Sequence, residues 1–232
     1  MSTVLVLACL SIPGGLPGGD PPSPPTRGCG GKPAEAVRAV GPAQAVIDEV
    51  DRACRRRTVY MIGPQKARRL AELVRGKEPK RVVECGTAIG YSGLWIAREL
   101  KALGAGKLVT IEIDPGRARE AEANFKRAGL ADFVEVKVGD AREVVKGLDG
   151  PVDFLFIDCN FGNYEPCFLG VEPKLADGAV VVADNVGVGA GAMAGYLKRV
   201  RSRRDSRTEW FDLDLPWEKR DAMEITIHHR PR

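Results

Sequence analysis

The stretch that decides the fold is "RVVECGTAIGYSG", residues 81–93. Its first five residues include two adjacent valines and predict a short buried strand. Gly86 and Gly90 follow, and glycine lets the chain turn sharply and lets a ligand approach the main chain without a Cβ in the way. The sequence then predicts a helix that begins near Tyr91 or Ser92. A tight turn without a ligand would give the same pattern, so these glycines alone do not establish a binding site.

Strands and helices alternate on both sides of this stretch. Apolar spacing predicts two amphipathic helices before it, at 43–57 and 64–77. Apolar runs predict further strands at 107–113, 133–138, 152–158 and 179–184, and an antiparallel pair at 209–215 and 222–229. Near-continuous Val, Ile and Leu between helices is typical of a parallel sheet buried on both faces. The predicted fold is α/β: a Rossmann-like, doubly wound, mostly parallel seven-stranded sheet with an antiparallel C-terminal edge.

Composition indicates one globular domain with an N-terminal tail. The chain has 232 residues, of which 44% are hydrophobic and 28% are charged, enough for a sizeable core. Residues 1–35 are rich in Pro and Gly, so we expect a disordered tail there and one domain over 36–232. The apolar run at 4–10 resembles a signal-peptide core, but no basic residues precede it and no clear cleavage site follows.

Charge and cysteine usage narrow the expected partners and compartment. The net charge of +4 is small against 35 basic and 31 acidic residues, which gives no compositional case for nucleic-acid binding. The six cysteines lack C-x-x-C spacing, which indicates reduced thiols and a cytoplasmic location. The run at 4–10 is too short to span a bilayer, so we expect no membrane association.

Acidic residues follow the second and third predicted strands, at the carboxyl ends where doubly wound sheets bind ligands. Glu112 stands where a carboxylate accepts hydrogen bonds from a ribose diol, although a solvated carboxylate before the Asp114 helix cap explains it as well. Asp140 either caps the next helix or hydrogen-bonds an adenine amino group. A nicotinamide dehydrogenase would use the same ribose contact, but it needs G-x-G-x-x-G, whereas this chain has G-x-x-x-G.

Polar residues also end the fourth and fifth predicted strands. Asp158 ends one, and Asp184 with Asn185 ends the other. If these strands are neighbours, about 4.8 Å apart, the three side chains converge at one edge of the sheet. Two carboxylates and an amide oxygen suit a hard divalent cation such as Mg²⁺, and zinc is less favoured because no His or Cys cluster accompanies them. Each residue alone would also serve as a turn former.

Six segments in order carry a resemblance to a known family: "MIGPQKARRLAELV", "VVECGTAIGYSGLWIAREL", "LVTIEID", "AGLADFVEVKVGDA", "FLFIDCNFGNY" and "VVVADNV". From Met61 to His229 the chain resembles the cation-dependent O-methyltransferases that use S-adenosylmethionine, the group that contains the catechol and caffeoyl-coenzyme A enzymes. The resemblance implies the class I methyltransferase fold. It also implies methyl transfer to a hydroxyl of a small, aromatic or catechol-like acceptor, and a possible homodimer.

The resemblance further implies roles for single residues. The residues expected to contact S-adenosylmethionine are Ile62, Gly63, Glu84, Gly86, Thr87, Gly90, Tyr91, Ser92, Glu112, Ile113, Asp140, Ala141 and Asp158. Of these, the glycine loop with Glu84 would line the methionine part, Glu112 would hold the ribose, and Asp140 with Ala141 would flank the adenine. Ile62 and Gly63 would close over the cofactor as a lid. The Mg²⁺ ligands implied are Asp158, Asp184 and Asn185.

One position departs from the family pattern. Catechol-type enzymes have a lysine three residues after the first metal aspartate, and this chain has Phe161 there. Phenylalanine cannot accept a proton. Either the metal alone acidifies the nucleophile, or another base such as Lys66 reaches the site, or the acceptor is already acidic. We therefore assign catalytic roles to Asp158 and Lys66.

Three other functions stay open. A tRNA-nucleoside methyltransferase would use the basic runs at 55–57 and 198–204 to contact phosphates, although such runs are usually solvated helix faces. A non-catalytic S-adenosylmethionine-binding protein would explain Phe161, and a dehydrogenase is disfavoured by the glycine spacing. The loops at 187–195 and 214–221 leave the acceptor unidentified, and Trp217 is either a flat wall for an aromatic ring or packing.

Overall fold

A computed structural model describes residues 41–202 and 205–230. The predicted tail at 1–35 and the domain boundary at 36 lie outside these ranges and stay predictions. None of the helices in the described ranges combines the length and apolar character that crossing a bilayer requires.

The described residues form one seven-stranded sheet with the order β3-β2-β1-β4-β5-β7-β6. Strands β1 to β5 are parallel, and β7 runs antiparallel to both β5 and β6. The bounds are β1 Arg81–Cys85, β2 Lys107–Glu112, β3 Val134–Val138, β4 Val152–Ile157, β5 Leu175–Ala183, β6 Ser206–Asp212 and β7 Arg220–His228. The predicted fold class is confirmed, including the antiparallel edge, although β5 and β6 begin earlier than their apolar runs indicated.

Helices connect the strands and cover both faces of the sheet. Their bounds are α1 Pro42–Arg57, α2 Gly63–Lys77, α3 Tyr91–Leu103, α4 Pro115–Arg127, α5 Ala141–Val144, α6 Tyr164–Val171 and α7 Ala194–Arg201. Helix α1 begins with Pro42, whose fixed φ suits the first turn. It buries Val46, Ile47, Val50 and Cys54 on one face, which confirms the predicted amphipathic helix.

Strand β4 shows why the strands read as continuous apolar runs. Phe154 and Phe156 point into the core that α1, α2, α3 and α4 cover, while Leu155 and Ile157 point into the core under α6 and α7. All four side chains are fully buried. Since full burial of such a side chain contributes about 1.5–3 kcal/mol, both faces must be apolar. Polar side chains therefore lie at the carboxyl ends of the strands, outside the two apolar faces.

The loops that leave β1 and β4 touch each other at this edge. The Gly86 amide donates to the Ile111 carbonyl at 3.0 Å, and the Asp158 amide donates to the Cys85 carbonyl at 2.9 Å. Gly86 has a φ of 104°, and a Cβ there would overlap the Asp158 carbonyl oxygen. Glycine is therefore required both by the backbone conformation and by the close approach of the second loop.

Replacing Gly86 by alanine is expected to lower the free energy of unfolding by about 2–4 kcal/mol, because the methyl group forces the loops apart and the φ is strained for alanine. Gly76→Ala is the matched control, since its methyl group would meet no atom within 4 Å. The control change lies inside helix α2 and should stabilise by about 0.5–1 kcal/mol. Urea unfolding of both variants gives the comparison, and equal stabilities would contradict the close-approach argument.

Candidate functional site

A cavity of about 850 Å³ lies at the carboxyl ends of the parallel strands. Strand β1 is flanked by β2 on one side and β4 on the other, so the strand order reverses there. Ligands of doubly wound sheets bind at such a switch point. The loops after β1, β2, β3, β4 and β5 all contribute to the cavity wall.

The glycine loop after β1 forms one side of the cavity. Of the residues expected to contact the cofactor there, Gly86, Thr87, Tyr91 and Ser92 line the cavity. Gly90 is not among the lining residues, because it faces helix α4. A Cβ at Gly90 would lie 3.3 Å from both Ala121 and Phe125, so this glycine allows the helix to pack against the loop.

Glu84 lies beneath the glycine loop and does not line the cavity. Its side chain is completely buried and accepts hydrogen bonds from Ser92 Oγ at 2.5 Å and from Thr110 Oγ1 at 2.6 Å. Burial raises the pKa of Glu84 to about 7, although the two hydroxyl donors act to lower it. Glu84 thus fixes Ser92, and Ser92 lines the cavity, whereas a direct contact of Glu84 with the cofactor stays a prediction.

Glu112 ends β2 and lines the cavity beside Ile113. Its carboxylate accepts hydrogen bonds from the amides of Ala88 at 2.8 Å and Asp114 at 3.0 Å. Arg117 adds an ion pair at 2.6 Å. These contacts fix the carboxylate at the cavity edge, while Ile113 is 65% exposed beside it.

Asp140 and Ala141 line the cavity after β3, the strand that pairs with β2. The Asp140 carboxylate caps α5 by accepting from the Arg142 amide at 2.9 Å, so the capping role is realised. It also pairs with the Arg142 guanidinium at 2.5 Å, which lowers the pKa of Asp140. The nucleobase contact stays a prediction. On the cavity's other side, Ile62 lines the wall, whereas Gly63 packs against Leu215.

The acidic residues after β4 and β5 line the cavity side by side. Strands β4 and β5 are parallel neighbours with Ile157 opposite Ala183, so Asp158 and Asp184 follow at the same level. Asn185 comes next, in the left-handed conformation with a φ of 57°. The expected convergence of these three residues at one edge of the sheet is realised, and all three line the cavity.

Lys66 of α2 pairs with two carboxylates in this region. Its Nζ lies 2.5 Å from Asp184 Oδ1 and 2.7 Å from Asp221 Oδ2, and the three side chains are at most 1% exposed. Burial acts to lower the pKa of Lys66, but the attraction of Asp184 and Asp221 outweighs it and raises the pKa above its ordinary value. The ammonium is therefore held in its charged form.

Asp221 also lines the cavity, and the sequence did not indicate it. Besides Lys66, it accepts hydrogen bonds from Asn185 Nδ2 at 2.9 Å and from the amides of Gly187 at 3.0 Å and Val188 at 2.9 Å. Because Asn185 Nδ2 points at Asp221, the side-chain amide oxygen of Asn185 faces away from Asp221. The only signal was a carboxylate next to the apolar "AMEITI" run, where β7 begins.

Comparisons with known proteins agree with this geometry. A methyltransferase domain family matches residues 83–186. The catechol O-methyltransferase of Mycobacterium tuberculosis is 39% identical over 135 residues, which cover 57% of this chain and 60% of that protein. Catechol O-methyltransferase B of Danio rerio is 30% identical over 212 residues, which cover 84% of this chain and 78% of that protein.

The chain belongs to the S-adenosylmethionine-dependent O-methyltransferase family. A solved structure of the O-methyltransferase TomG from Streptomyces achromogenes, in complex with S-adenosylmethionine, is similar with a TM-score of 0.69 and 26% identity, covering 80% of this chain and 90% of that one. The chain spans about three fifths of the length of the bacterial catechol O-methyltransferases it matches. The sequence-based recognition of the family and of its class I methyltransferase fold is confirmed.

The cavity has Phe161 at the position where the family pattern implies a lysine, so its candidate proton acceptors are different. Phe161 is 37% exposed at the cavity wall and contacts Tyr164 edge-on, with ring centroids 6.5 Å apart. Lys66 was expected to act as a base, but a protonated amine held between two carboxylates has no lone pair to offer. The geometry therefore gives Lys66 a positioning role.

The pKa of Glu84 predicts a pH dependence of stability. Below pH 4.5, the ordinary pKa of the group, both the folded and unfolded states hold its proton. As the pH rises towards 7, the unfolded state loses the proton first, so the folded state loses about 3 kcal/mol of relative stability. Glu84→Gln removes this linkage. Its free energy of unfolding, relative to that of the wild type, should therefore rise by about 3 kcal/mol between pH 4.5 and 8. Urea unfolding at several pH values measures the difference, with exposed Glu122→Gln as the control. A pH-independent difference for Glu84→Gln would contradict the raised pKa.

Replacing Lys66 by methionine should lower the free energy of unfolding by about 3–5 kcal/mol, because Asp184 and Asp221 are left buried without a cation. Arg68→Met on the exposed side of α2 is the matched control and should change stability by at most about 0.5 kcal/mol. Adding Asp221→Asn to the Lys66 variant should recover part of the loss. Unfolding measured by circular dichroism tests all three, and a Lys66 variant as stable as its control would contradict the buried ion pairs.

Proposed function

We propose that this chain is an enzyme that transfers a methyl group from S-adenosylmethionine to a hydroxyl oxygen of a small aromatic or catechol-like acceptor, assisted by a divalent cation. The observation that carries the proposal is that one cavity holds both the glycine loop and the oxygen cluster of Asp158, Asp184 and Asn185. Relatives named catechol O-methyltransferase support the choice of acceptor.

The cavity offers a consistent place for S-adenosylmethionine. The glycine loop leaves the main chain accessible at Gly86, and Ser92 is fixed by Glu84. Glu112 presents a carboxylate at the position where a ribose diol is bound in nucleoside-binding sheets. The exposed Ile113 and the Asp140–Ala141 segment flank the space beyond it. In this arrangement the methionine part lies nearest Asp158, beside the oxygen cluster.

The donor set and charge of the oxygen cluster fit a hard divalent cation. No group of three His, Cys, Asp or Glu residues with metal-binding geometry occurs in 41–202 and 205–230, but the proposed set needs only two carboxylates and one amide. Among the described residues, none donates a hydrogen bond to the Asp158 carboxylate. Burial and the nearby Asp184 carboxylate raise the pKa of Asp158 well above its ordinary value, as expected where positive charge is lacking.

Counting charges supports a doubly charged ion. Asp158, Asp184 and Asp221 in their ionised forms carry three negative charges, and Lys66 neutralises one of them. Carboxylate and amide oxygens are the ligands that Mg²⁺ prefers, with waters or substrate oxygens completing the octahedron. When bound, such a cation would lower the pKa of the acceptor hydroxyl and orient it.

Residues of the chain itself position the proposed cation ligands and the acceptor. Asp221 orients the Asn185 amide, and Lys66 holds one oxygen of Asp184, so the second Asp184 oxygen and the Asn185 carbonyl are left for the cation. Phe161 narrows the acceptor end and excludes water rather than accepting a proton. Holding the acceptor oxygen and the methyl donor in contact accounts for a large part of the rate enhancement of such displacements.

The RNA alternative finds no support in the basic runs. Arg55 pairs with Asp51 at 2.6 Å, and Arg57 pairs with Glu120 at 2.5 Å. Arg201 pairs with Glu224 at 3.0 Å, and residues 203–204 lie outside the described ranges. Several of these arginines are thus occupied by carboxylates within the fold, which leaves less positive charge for a phosphate backbone.

Methyl transfer can be measured with S-adenosylmethionine and a panel of catechols and hydroxycinnamoyl acceptors, with Mg²⁺ or with a chelator. We expect methylated product with Mg²⁺ and a loss of roughly 100-fold or more in kcat/KM for Asp184→Asn, since that change removes one carboxylate of the cation site. Asp212→Asn is the control, because that side chain is 95% exposed on the edge strand.

The outcomes separate the alternatives. Calorimetric binding of S-adenosylhomocysteine without product from any acceptor would support a non-catalytic binding protein. Binding of NAD in preference to S-adenosylhomocysteine would support a dehydrogenase. Full activity in the presence of the chelator would overturn the role of the cation while leaving methyl transfer intact.

A further inference from the structure

Helices α1 and α4 enclose a second cavity of about 340 Å³, which we call the arginine cleft. Side chains of both helices line it, and Ile89 of the glycine loop completes its wall. Among the described residues, Ile89 alone lines both the arginine cleft and the cavity of the candidate site. The two cavities are therefore separate spaces that have one wall residue in common.

Positive charge is in excess in the arginine cleft. The charged side chains that line it are Arg52, Arg56, Arg127, Glu49 and Glu120. Arg127 pairs with Glu49, and Glu120 pairs with Arg57 of α1 at 2.5 Å, so both carboxylates are neutralised within the protein. In 41–202 and 205–230, neither Arg52 nor Arg56 has a hydrogen-bonding or ion-pairing partner. The arginine cleft thus retains two uncompensated positive charges.

The two unpaired arginines are placed to act together on one anion. Arg52 and Arg56 are four residues apart in α1, so their side chains are neighbours on one face of the helix. Asp48, which lies one turn before Arg52, already accepts a hydrogen bond from Gln44 at 2.8 Å. A guanidinium presents its N–H donors in a fixed fork that matches the oxygens of a phosphate group.

The remaining wall of the arginine cleft is apolar or already hydrogen-bonded. Val50, Ala53 and Ile89 contribute apolar side chains. Asn124 is 6% exposed, and its Nδ2 donates to the Ile89 carbonyl at 3.0 Å while its Oδ1 accepts from Arg127 at 3.2 Å. Because this amide is satisfied at both ends, the wall opposite the charges suits an apolar group.

We propose that the arginine cleft binds a small phosphate monoester, with the phosphate on Arg52 and Arg56 and the organic part against Val50, Ala53 and Ile89. A phosphate monoester carries close to two negative charges above its second pKa of about 6, which matches the two unpaired arginines. The volume is within the range of small-molecule sites. Inorganic phosphate has the same charge but no organic part, so the two ligands can be distinguished.

This site is independent of the methyl-transfer site and does not rest on the proposed function. Helix α1 presents different residues to the two cavities: Cys54 and Thr58 line the candidate site, whereas Ala53 and Arg56 line the arginine cleft. We therefore expect the phosphate compound to bind whether or not S-adenosylhomocysteine is bound.

Calorimetry on the full-length chain tests the proposal with phenyl phosphate and with inorganic phosphate, at about pH 8, where both are dianions. We expect phenyl phosphate to bind with a stoichiometry of one and more tightly than inorganic phosphate. Arg52→Gln and Arg56→Gln should each weaken its binding about tenfold or more, because each removes a hydrogen-bonding charge. Arg119→Gln is the matched control, since it removes the same charge from an exposed position of α4 outside the cleft.

The outcomes decide between the phosphate site and its alternatives. Absence of binding by both phosphate compounds, or an equal loss of affinity in Arg119→Gln, would overturn the proposal. Displacement of phenyl phosphate by S-adenosylhomocysteine would also overturn it, because the compound would then occupy the candidate site. Equal affinities for phenyl phosphate and inorganic phosphate would support the phosphate contact and overturn the contact with the apolar wall. Arg52 and Arg56 are exposed, so both variants should fold, which circular dichroism verifies.

Discussion

The ion pairs of Lys66 with Asp184 and Asp221 are the interaction on which the carboxyl edge of the sheet depends. They join helix α2 to the ends of β5 and β7 within the buried part of the molecule. Burying an ammonium group costs several kcal/mol unless its partners are well placed and fully hydrogen-bonded. Asp221 meets that condition, because its other oxygen accepts the amides of Gly187 and Val188. Those bonds also hold the chain that follows Asn185.

The same network divides the carboxylates of the cavity into two kinds. Burial acts to raise the pKa of Asp221, but Lys66 overcomes it and holds that pKa below its ordinary value. Burial instead dominates at Asp158 and Asp184, whose pKa values are raised. Asp221 is thus stabilised as an anion within the protein, whereas burial disfavours the anionic form of Asp158 and Asp184. Asp221 in turn fixes the side chain of Asn185, which lines the cavity.

Much of this was predictable from the sequence because strand ends obey simple rules. The apolar runs fixed the parallel strands to within a few residues, and the first polar residue after each run marked the cavity edge at Glu112, Asp158 and Asp184. Long-range pairings were not predictable. Nothing local to Lys66 indicates that it meets carboxylates from two distant strands. The burial of Glu84 was also not predictable: it lies within β1, before the loop, and its carboxylate is bonded to Ser92 and Thr110.

Two kinds of side chain line the cavity, and this bears on what it accepts. Asp158 and Asn185 contribute carboxylate and amide oxygens, and Tyr60, Phe161 and Trp217 contribute aromatic rings. Tyr60 and Trp217 contact each other edge-on with centroids 5.5 Å apart, a geometry that aromatic pairs favour. Tyr60 is 71% exposed, a large apolar surface left uncovered in the protein alone. Under the proposed function, that surface is available to a flat ring of the acceptor. Phe161 adds a partly exposed apolar side chain to the cavity lining, so under the proposed function it would contact the acceptor ring and could not accept its proton.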